Sequence, residues 1–236
     1  MTLKALVFDV DGTLAETEEA HRAAFNGRFA RWGLPWHWSR SDYRQLLKTT
    51  GGKERIRAYQ AGLPAPARRL DDDEIAQLHK EKTADYGAIL AAGGLALRPG
   101  VAELIAAARA NGLKLAVATT TNTPNVEALC QCCWGKPATE VFDVIAAGDM
   151  VSAKKPAPDV FLLALEKLSL PASACIAFED SRNGVLSARG AGLRVLVTPS
   201  AYTDTDDFGE ADWVVASLRR ADLPGPLRSA LPAAPA

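Results

Sequence analysis

Residues 3–13 of the chain read LKALVFDVDGT. The stretch begins as a short run of apolar residues, which is typical of a strand buried on both faces of a parallel sheet. It closes with two carboxylates, Asp9 and Asp11, and breaks at Gly12. Because open α/β sheets bind ligands at the carboxyl ends of their strands, this ending indicates a functional site.

Four more strand-like runs follow, and each is separated from the next by a stretch long enough for a helix. They occupy residues 114–120, 141–147, 174–180 and 194–200. Residues 99–111 carry apolar side chains at helical spacing, with Pro99 near the start and Gly112 after the end. Since alternating strands and helices build parallel sheets, we predict an α/β fold with a doubly wound, Rossmann-like parallel sheet.

Residues 17–93 contain no comparable apolar run, and their composition favours helices. This segment leaves after the first predicted strand and returns before the second, which places it above the strand ends. The last residues are rich in proline and alanine. We therefore predict a catalytic core formed by residues 1–16 and 94–222, a smaller all-helical cap domain formed by residues 17–93, and a flexible tail at residues 223–236.

The composition excludes several classes of protein. With 48% hydrophobic and 23% charged residues, the chain has the apolar side chains for a sizeable core and is not generally disordered. Its 27 Lys and Arg balance 28 Asp and Glu, so no global charge attracts nucleic acid or an anionic membrane. No apolar run reaches ~18 residues and no cleavable leader is evident, from which we predict a cytoplasmic protein. Four cysteines, three of them in one helix-like segment, predict reduced thiols.

Polar side chains stand at three of the predicted strand ends. Asp9 and Asp11 close the first run, Thr119 lies at the end of the second, and Glu179 and Asp180 end a later one. Such residues also cap helices and start turns, so each of the three ends alone has a plain structural interpretation. Polar side chains at three strand ends together favour a single site where these side chains converge.

The DVDGT pentad, residues 9–13, has the composition of a site for metal-assisted phosphoryl transfer. A carboxylate pair at a strand end can bind Mg²⁺ through hard oxygen ligands. The metal would shield the attack of a carboxylate on a negatively charged phosphoryl group, which makes Asp9 the candidate nucleophile. A turn at Gly12 would let Asp11 work from another direction. The alternative is a strand-to-turn corner with two solvated carboxylates.

In these motifs the chain resembles the haloacid dehalogenase superfamily of phosphotransferases, over about residues 3–200. The motifs occur in the family's order: FDVDGT at residues 8–13, Thr119 after a hydrophobic strand, Lys155 in KKPAPD, and the acidic pair in FEDSRNG. The resemblance implies that Asp9 forms an aspartyl phosphate, while Asp11 protonates the leaving oxygen and later activates water. Asp9 would also bind the metal, and Asp11 would do so through its backbone carbonyl only.

The same resemblance implies roles for the remaining core residues. Thr119 and Lys155 would hold phosphate oxygens, and Asp180 would complete the Mg²⁺ site. Lys154 competes with Lys155 for the phosphate, although only Lys155 stands directly before the family's Pro-x-Pro-Asp sequence. Glu179 would take part in the metal site, directly or through a water molecule, or else be an ordinary carboxylate at the start of a helix.

Within the predicted cap, the segment TTGGKER at residues 49–55 looks least like plain scaffold. Its two glycines free the backbone, and Lys53 and Arg55 follow at the start of a predicted helix. Exposed N–H groups and basic side chains at such a position favour an anion, although a solvated basic helix face is the alternative. On the first interpretation, the core holds one phosphate for cleavage and the cap recognises a second charged group, which implies a bisphosphate.

The chain also resembles the CbbY-type sugar phosphatases, across both cap and core. The stretches that carry this resemblance are DVDGTLAETE, TTGGKERI, AVATTTNTPNVEALC and GDMVSAKKPAPD. It implies removal of the 1-phosphate from xylulose 1,5-bisphosphate, a small-molecule inhibitor of the Calvin-cycle enzyme Rubisco. By position it also implies the substrate-binding residues Glu18, His21, Gly51, Gly52, Lys53, Glu54 and Arg55. His21 is equally compatible with a packed position inside the cap.

Two other functions stay open at the level of sequence. One is a sugar phosphomutase of the β-phosphoglucomutase type, whose cap carries a Gly-x-Ser-Arg loop. An ungapped alignment places Lys53 at the serine and Glu54 at the arginine of that loop, and a shift of one residue would restore Arg55. The other is a non-catalytic binding protein on the same fold, against which the complete set of core motifs counts.

Overall fold

The structure is a computed structural model, and it describes residues 2–231. Within that range, six parallel strands form one sheet in the order β3-β2-β1-β4-β5-β6. In chain order the strands are β1 (Ala5–Phe8), β2 (Lys114–Ala118), β3 (Val144–Ala146), β4 (Cys175–Glu179), β5 (Arg194–Val197) and β6 (Trp213–Val214). This arrangement confirms the predicted α/β fold with a Rossmann-like parallel sheet.

The helices fall into two groups, one before β2 that includes the predicted cap and one between and after the later strands. In chain order they are α1 (Glu18–Arg31), α2 (Arg40–Leu46), α3 (Gly52–Ala61), α4 (Asp72–Ala91), α5 (Val101–Ala110), α6 (Thr123–Trp134), α7 (Ala138–Val141), α8 (Asp159–Leu168), α9 (Arg182–Gly190) and α10 (Gly225–Ala230). Across the part of the chain that the structure describes, no helix combines the length and the hydropathy that a membrane crossing requires.

Both faces of the sheet are covered by helices. Leu6 and Phe8 of β1 belong to a buried cluster that includes residues of α5 and α6, whereas Ala5 and Val7 belong to a second cluster with residues of α8 and α9. Successive strand residues point to opposite faces, so a strand buried on both faces needs a continuous apolar run. This requirement explains why Asp9, Thr119 and Asp180 lie at or just beyond the carboxyl ends of the strands.

The predicted strand runs extend past the observed strands at their carboxyl ends. In the structure β1 ends at Phe8, and β2, β4 and β5 end directly before Thr119, Asp180 and Thr198, respectively. These polar residues have left the strands and lie in the loops that follow, where side chains can converge. The short edge strand β6 was not predicted, because two residues carry no periodic pattern.

Helices α1 to α4 lie within the predicted cap and have a hydrophobic cluster of their own. Its largest members are aromatic, and Trp38 packs against both Phe25 and Phe29 with ring centroids 4.7 and 4.8 Å apart. Ser39 and Asp71 cap α2 and α4 with reciprocal side-chain and backbone hydrogen bonds, which fixes where these helices begin. The division of the chain into cap and core stays a prediction. This cluster agrees with it, although Ala24, Tyr86 and Leu90 of α1 and α4 belong to a cluster of the sheet.

The tail prediction is wrong for residues 223–231. Leu223, Leu227 and Leu231 are buried, at 5%, 1% and 1% exposure, in the cluster that also contains residues of α5 and β1. Their spacing of four residues places them on one face of α10 and its flanks, a periodicity that the high proline content obscured. Residues 232–236 of the predicted tail lie outside the described residues.

The four cysteines carry free thiols, as the sequence predicts. Cys130 is buried in α6, and Cys132 and Cys133 are partly buried one turn or less away. Burial raises the pKa of the Cys130 and Cys133 thiols to about 12, which keeps them protonated and unreactive.

Candidate active site

Strand β1 lies between β2 and β4 in the sheet. The chain adds β2 and β3 on one side of β1 and the later strands on the other side, so the strand order reverses at β1. A crevice forms at such a point, because the loops after the two central strands turn to opposite sides of the sheet. A cavity of about 520 Å³ opens there, between the sheet edge and the helices of the cap. Its wall contains nearly all of the predicted site residues: Asp9, Asp11, Glu18, His21, Gly51, Gly52, Lys53, Glu54, Arg55, Thr119, Lys155 and Asp180.

Lys155 joins two carboxylates on the floor of this cavity. Its ammonium lies 2.6 Å from Oδ1 of Asp9 and 2.6 Å from Oε1 of Glu179, and its side chain is 3% exposed. Burial alone would lower the pKa of Lys155, but the two carboxylates raise it above its ordinary value. Lys155 is therefore a fixed positive charge beside Asp9, where a phosphate oxygen would need one.

Lys154, the alternative to Lys155 in the sequence, takes a different position. Its ammonium donates to the carbonyl oxygen of Gly148, next to the loop after β3. The two neighbouring lysines thus point to different partners, and Lys155 is the one that contacts Asp9.

Three carboxylates form a compact group that could hold a metal ion. Oxygen atoms of Asp9, Glu179 and Asp180 lie within 4.8 Å of one another, and all three residues are buried. Burial raises the pKa of Glu179 to about 7, while burial and the charges of Asp9 and Glu179 raise the pKa of Asp180. Several buried acidic oxygens that repel one another match the hard oxygen ligands that Mg²⁺ prefers, so the residues fit this ion.

Asp180 is oriented by the loop that follows β5. The hydroxyl of Thr203 donates to Oδ2 of Asp180 over 3.2 Å, and the hydroxyl of Ser200 lies 2.9 Å from that of Thr203. On the opposite side, Gly12 has φ +83°, and a Cβ there would stand 2.2 Å from Oδ2 of Asp180. Only glycine allows this backbone to lie so close to the carboxylate.

The carboxylate of Asp11 turns toward the cap, away from the Lys155 group. The hydroxyl of Thr17 donates to Oδ1 of Asp11 over 2.6 Å, and Nε2 of His21 lies 3.1 Å from the same oxygen. Burial alone would raise the pKa of Asp11, but these two partners lower it to about 2. That Asp11 serves a metal only through its backbone carbonyl stays a prediction, with which this side-chain direction agrees.

His21 is engaged at both ring nitrogens. Its Nδ1 lies 2.6 Å from the ammonium of Lys82, and its ring stacks on Tyr86 with centroids 3.9 Å apart. Burial and the charge of Lys82 lower the pKa of His21 to about 4, so the ring is neutral near pH 7. In that state Nδ1 accepts from Lys82 and Nε2 donates to Asp11. This position favours holding Asp11 over the predicted contact with substrate.

Thr119 lies directly after β2 and is 1% exposed. Its hydroxyl oxygen accepts from the backbone N–H of Thr121 over 3.3 Å, and its side chain lines the same cavity as Asp9. Burial raises the pKa of Asp9, whereas Lys155 and Thr119 act in the opposite direction. Thr119 therefore stands beside the candidate nucleophile, as its predicted role requires.

The predicted anion-binding segment of the cap lines the same cavity. Gly51 has φ +91° and ends the loop before α3, and a Cβ on Gly52 would stand 2.4 Å from Nε2 of His79. Arg55 is held within the cap, because it donates to the Tyr43 hydroxyl over 2.9 Å and to the Leu46 carbonyl. The two glycines are thus explained by close packing, and Arg55 has a fixed direction.

Lys53 and Glu18 are two of the cavity residues with groups left unpaired, and Lys48 and Asn125 are others. Within residues 2–231, no hydrogen bond or ion pair is formed by the Lys53 ammonium, and Oε2 of Glu18 is buried without a hydrogen-bond partner. Burial raises the pKa of Glu18 to about 7. A basic and an acidic group on the cap wall could bind an anion and a hydroxyl, respectively.

Lys82 is the functional candidate that the sequence analysis missed. It is 3% exposed and stands in the buried stripe of α4, which runs Ile75, Leu78, Lys82, Tyr86 and Leu90. A lysine at a core position of an amphipathic helix is a signal that could have identified it, because lysine is rarely buried without a partner. Thr17 and Ser200 carried no such signal, since threonine and serine are common in turns.

The loop after β5 also contacts the cap. Tyr202 belongs to the cap's hydrophobic cluster, and its ring lies edge-on to Tyr43 with centroids 5.8 Å apart. The Tyr202 hydroxyl donates to Glu19, and Arg44 forms an ion pair with Asp204. These contacts join the loop after β5 to the cap at one side of the cavity.

Comparisons with known proteins give a consistent set of relatives. The sequence model of the haloacid dehalogenase-like hydrolases matches residues 3–192. Protein CbbY of Rhodobacter capsulatus is 59% identical over 221 residues, which cover 94% of this chain and 96% of that protein. The crystal structure of CbbY from Rhodobacter sphaeroides in complex with phosphate is similar at 53% identity with a TM-score of 0.89, over 92% of this chain and 96% of that one. A mutant of that protein in complex with xylulose 1,5-bisphosphate is similar at 52% identity with a TM-score of 0.89, over the same shares of both chains.

Proposed function

Because the chain belongs to the family of haloacid dehalogenase-like hydrolases, we propose that it removes the 1-phosphate of xylulose 1,5-bisphosphate in a Mg²⁺-dependent reaction. The resemblance predicted from the four sequence motifs is confirmed, and the chain is a phosphoric monoester hydrolase. The substrate, the metal and the roles of single residues are proposals. The cytoplasmic location likewise stays a prediction from the sequence.

One observation carries the proposal: a single cavity is lined by the Asp9 and Lys155 pair on its core wall and by an unpaired lysine, Lys53, on its cap wall. A monophosphate would need only the core wall. A bisphosphate would use the charge on both walls, because each phosphate group needs its own cationic partner. The related protein in complex with xylulose 1,5-bisphosphate supports the choice of this sugar among bisphosphates.

In the proposed first step, a carboxylate oxygen of Asp9 attacks phosphorus and the bond from phosphorus to the sugar oxygen breaks. Lys155 neutralises the phosphate oxygens, and Thr119 donates a hydrogen bond to one of them. Asp11 gives its proton to the leaving sugar oxygen. In the second step, Asp11 takes a proton from water, and that water releases inorganic phosphate from Asp9.

Asp9, Asp180 and the backbone carbonyl of Asp11 are the proposed Mg²⁺ ligands, with Glu179 close enough to act directly or through water. When bound, the ion would supply positive charge that offsets the repulsion between a phosphate dianion and the attacking carboxylate. Without that charge, Lys155 alone faces the carboxylates of Asp9 and Glu179.

Asp11 needs a proton for the first step, yet its neighbours lower its pKa to about 2. The group that can exchange a proton with it is His21, and beyond His21 lies Lys82, whose pKa burial lowers to about 7. Both groups stand on the cap, and in this position of the cap they favour the ionised form of Asp11, which is the form that takes a proton from water in the second step.

The substrate proposal is tested by phosphate release from a panel of sugar mono- and bisphosphates, with ³¹P NMR of the products. We expect xylulose 1,5-bisphosphate to be the best substrate and xylulose 5-phosphate to be the product. Lys53→Ala should raise the KM for the bisphosphate about ten-fold, as expected for a lost charge-assisted hydrogen bond. The same variant should leave KM for 4-nitrophenyl phosphate unchanged, and exposed Lys80→Ala is the control for both substrates.

An isomerised sugar phosphate as the main product would indicate a mutase and overturn the phosphatase proposal. Equal effects of Lys53→Ala on the bisphosphate and on 4-nitrophenyl phosphate would remove the argument for a second phosphate on the cap wall. No phosphate release from any member of the panel would leave a binding function on this fold.

The metal proposal is tested without activity, by the shift of the melting temperature on adding Mg²⁺. An ion that binds only the folded chain stabilises it by about 2.7 kcal/mol when its concentration is about 100 times its Kd. We expect this stabilisation in the wild type and its loss in Asp180→Asn. Asp149→Asn, which changes an exposed carboxylate on the same cavity wall, should keep it. A shift of equal size in wild type and Asp180→Asn would place the ion elsewhere.

A further inference from the structure

Arg98 stands where the chain returns from the cap to the core. The two connections run side by side: Ala15 and Leu97 form an antiparallel bridge, and the Arg98 N–H donates to the Leu14 carbonyl over 2.8 Å. The Arg98 side chain is 12% exposed and points away from solvent. It does not line the active-site cavity, so a direct contact with substrate does not explain its burial.

The guanidinium of Arg98 donates hydrogen bonds to backbone carbonyls of two loops. Nη1 donates to the carbonyl of Gly12 and, over 2.7 Å, to that of Thr198, while Nη2 donates to the carbonyl of Pro199 over 2.6 Å. Nε lies 3.1 Å from Oε1 of Glu16. A planar group with five N–H donors can satisfy several carbonyls at once, whereas a lysine ammonium on a flexible stem cannot reproduce this arrangement.

The first of these loops carries the candidate acid and base. Gly12 follows Asp11 directly, its N–H donates to the Ala15 carbonyl over 2.9 Å, and its carbonyl is held by Arg98. Both sides of the turn are therefore restrained. Gly12 lies against the Asp180 carboxylate and is bonded to Asp11. A rotation of the Gly12 peptide would therefore displace the backbone next to both residues.

The second loop carries the groups that orient Asp180. The Thr198 N–H donates to the Glu179 carbonyl over 2.9 Å. Pro199 precedes Ser200, whose hydroxyl lies 2.9 Å from the hydroxyl of Thr203, and Thr203 donates to Asp180 over 3.2 Å. Arg98 thus links the loop after β1 to the loop after β5. Strand β4, which ends at Glu179 and is followed by Asp180, lies between these two strands in the sheet.

We propose that Arg98 is a positioning residue, which sets the distance between the Asp11–Gly12 turn and the Pro199–Ser200 loop on either side of Asp180. It acts through backbone carbonyls and touches neither substrate nor metal. The expected loss of kcat rests on the proposed phosphatase function, in which Asp11 works beside Asp9. A displaced turn would misplace Asp11 relative to Asp9. Geometry of this kind affects the chemical step more than substrate binding.

The test compares Arg98→Lys and Arg98→Met with Glu16→Gln, which removes the negative charge beside Nε and leaves the three carbonyl contacts. On 4-nitrophenyl phosphate with Mg²⁺, we expect both Arg98 variants to lose roughly ten- to one-hundred-fold in kcat, as expected for a misplaced catalytic group. KM should change by less than about two-fold, since ground-state contacts are retained. Glu16→Gln should keep kcat within about two-fold of the wild type.

Amide hydrogen exchange supplies a readout that a general loss of stability would not reproduce. In Arg98→Lys, peptides covering residues 9–16 and 198–204 should exchange faster, while residues 144–147 of the opposite sheet edge should exchange as in the wild type. If Arg98→Met does not fold, Arg98→Lys decides the question, because it keeps the charge and the length of the side chain.

Two outcomes would overturn the proposal about Arg98. One is an Arg98→Lys variant with the kcat of the wild type. The other is faster exchange spread evenly over the sheet, which would indicate a purely structural residue. A wild-type protein that does not hydrolyse 4-nitrophenyl phosphate would instead contradict the phosphatase function, and the exchange pattern would then still test the link between the two loops.

Discussion

The ammonium nitrogen of Lys82, on the cap, lies 2.6 Å from Nδ1 of His21, and the other ring nitrogen of His21 lies 3.1 Å from Asp11 on the core. A chain of two hydrogen bonds therefore connects a buried lysine to the candidate acid and base. Lys82 also lies over the ring of Phe25, 4.6 Å from its centroid. The lysine is held in a fixed position by an aromatic ring and by His21.

Replacement of Lys82 tests this connection. We expect Lys82→Met to lower kcat for a sugar phosphate about ten- to one-hundred-fold, because His21 loses the partner of its Nδ1 and no longer holds Asp11 in place for proton transfer. The loss should be smaller for 4-nitrophenyl phosphate, whose leaving group needs little protonation. Steady-state kinetics on both substrates is the measurement, and Lys80→Met on the exposed face of α4 is the control. Equal losses on the two substrates would contradict a role through Asp11.

Neighbouring lysines give a matched pair for the charge beside Asp9. Lys155→Met should abolish activity and lower the free energy of unfolding by about 3–5 kcal/mol, because Asp9 and Glu179 are left buried without their cation. Lys154→Met loses a hydrogen bond to a carbonyl and should cost about 1 kcal/mol. Urea unfolding of both variants checks the difference. Similar losses of stability and activity in the two would show that the predicted pairing is not specific to Lys155.

Gly184 and Gly87 allow the packing around Glu179 to be tested. Both stand inside helices, where alanine is ordinarily favoured by about 1 kcal/mol. A Cβ on Gly184 would lie 1.9 Å from Oε2 of Glu179, so Gly184→Ala must displace that carboxylate and should reduce both stability and kcat. Gly87→Ala meets no described atom within 4 Å and should raise the melting temperature. A stabilised, fully active Gly184→Ala would show that Glu179 can move without consequence.

The raised pKa of Glu18 predicts that the stability of the folded chain depends on pH. Burial raises its pKa from 4.5 to about 7 in the folded chain. Between about pH 4.5 and pH 7 the unfolded chain is ionised while the folded chain favours the protonated form, so this group costs stability as the pH rises through that window. Glu18→Gln removes the cost, and its melting temperature relative to the wild type should increase from about pH 5 to about pH 8.

The control for this pH series is Glu103→Gln, an exposed carboxylate on α5. We expect the melting temperature of this variant to follow that of the wild type across the range. A constant difference between Glu18→Gln and the wild type from about pH 5 to about pH 8 would contradict the raised pKa of Glu18.

Much of the fold and of the core site was predictable from the sequence, for a physical reason. A strand buried on both faces is apolar along most of its length, so polar residues such as Asp9, Thr119 and Asp180 are expected where strands end, and Glu179 is the last residue of β4. Parallel strands present those ends at one edge of the sheet, which makes their convergence a consequence of topology. The direction of Lys155 also followed from local sequence, because the Pro-x-Pro-Asp motif distinguishes it from Lys154.

The residues that sequence analysis missed act across long separations in the chain. Lys82 reaches His21 over 61 positions, and Arg98 reaches Thr198 over 100. No local pattern encodes such a contact, because it depends on how the cap sits on the sheet. The buried leucines of α10 were missed for another reason: the prolines around Leu227 suggested a tail, although the spacing of the leucines was helical.

Mapping the site of phosphorylation tests the role of Asp9 most directly. Asp11→Asn lacks the base for the second step, so it should accumulate the aspartyl phosphate when given 4-nitrophenyl phosphate and Mg²⁺. After an acid quench, reduction with borohydride and proteolysis, mass spectrometry should find the modified residue at Asp9 alone, and none in Asp9→Asn with Asp11→Asn. A modification at another residue, or continued turnover of Asp11→Asn with Asp9 unmodified, would contradict a covalent mechanism through Asp9.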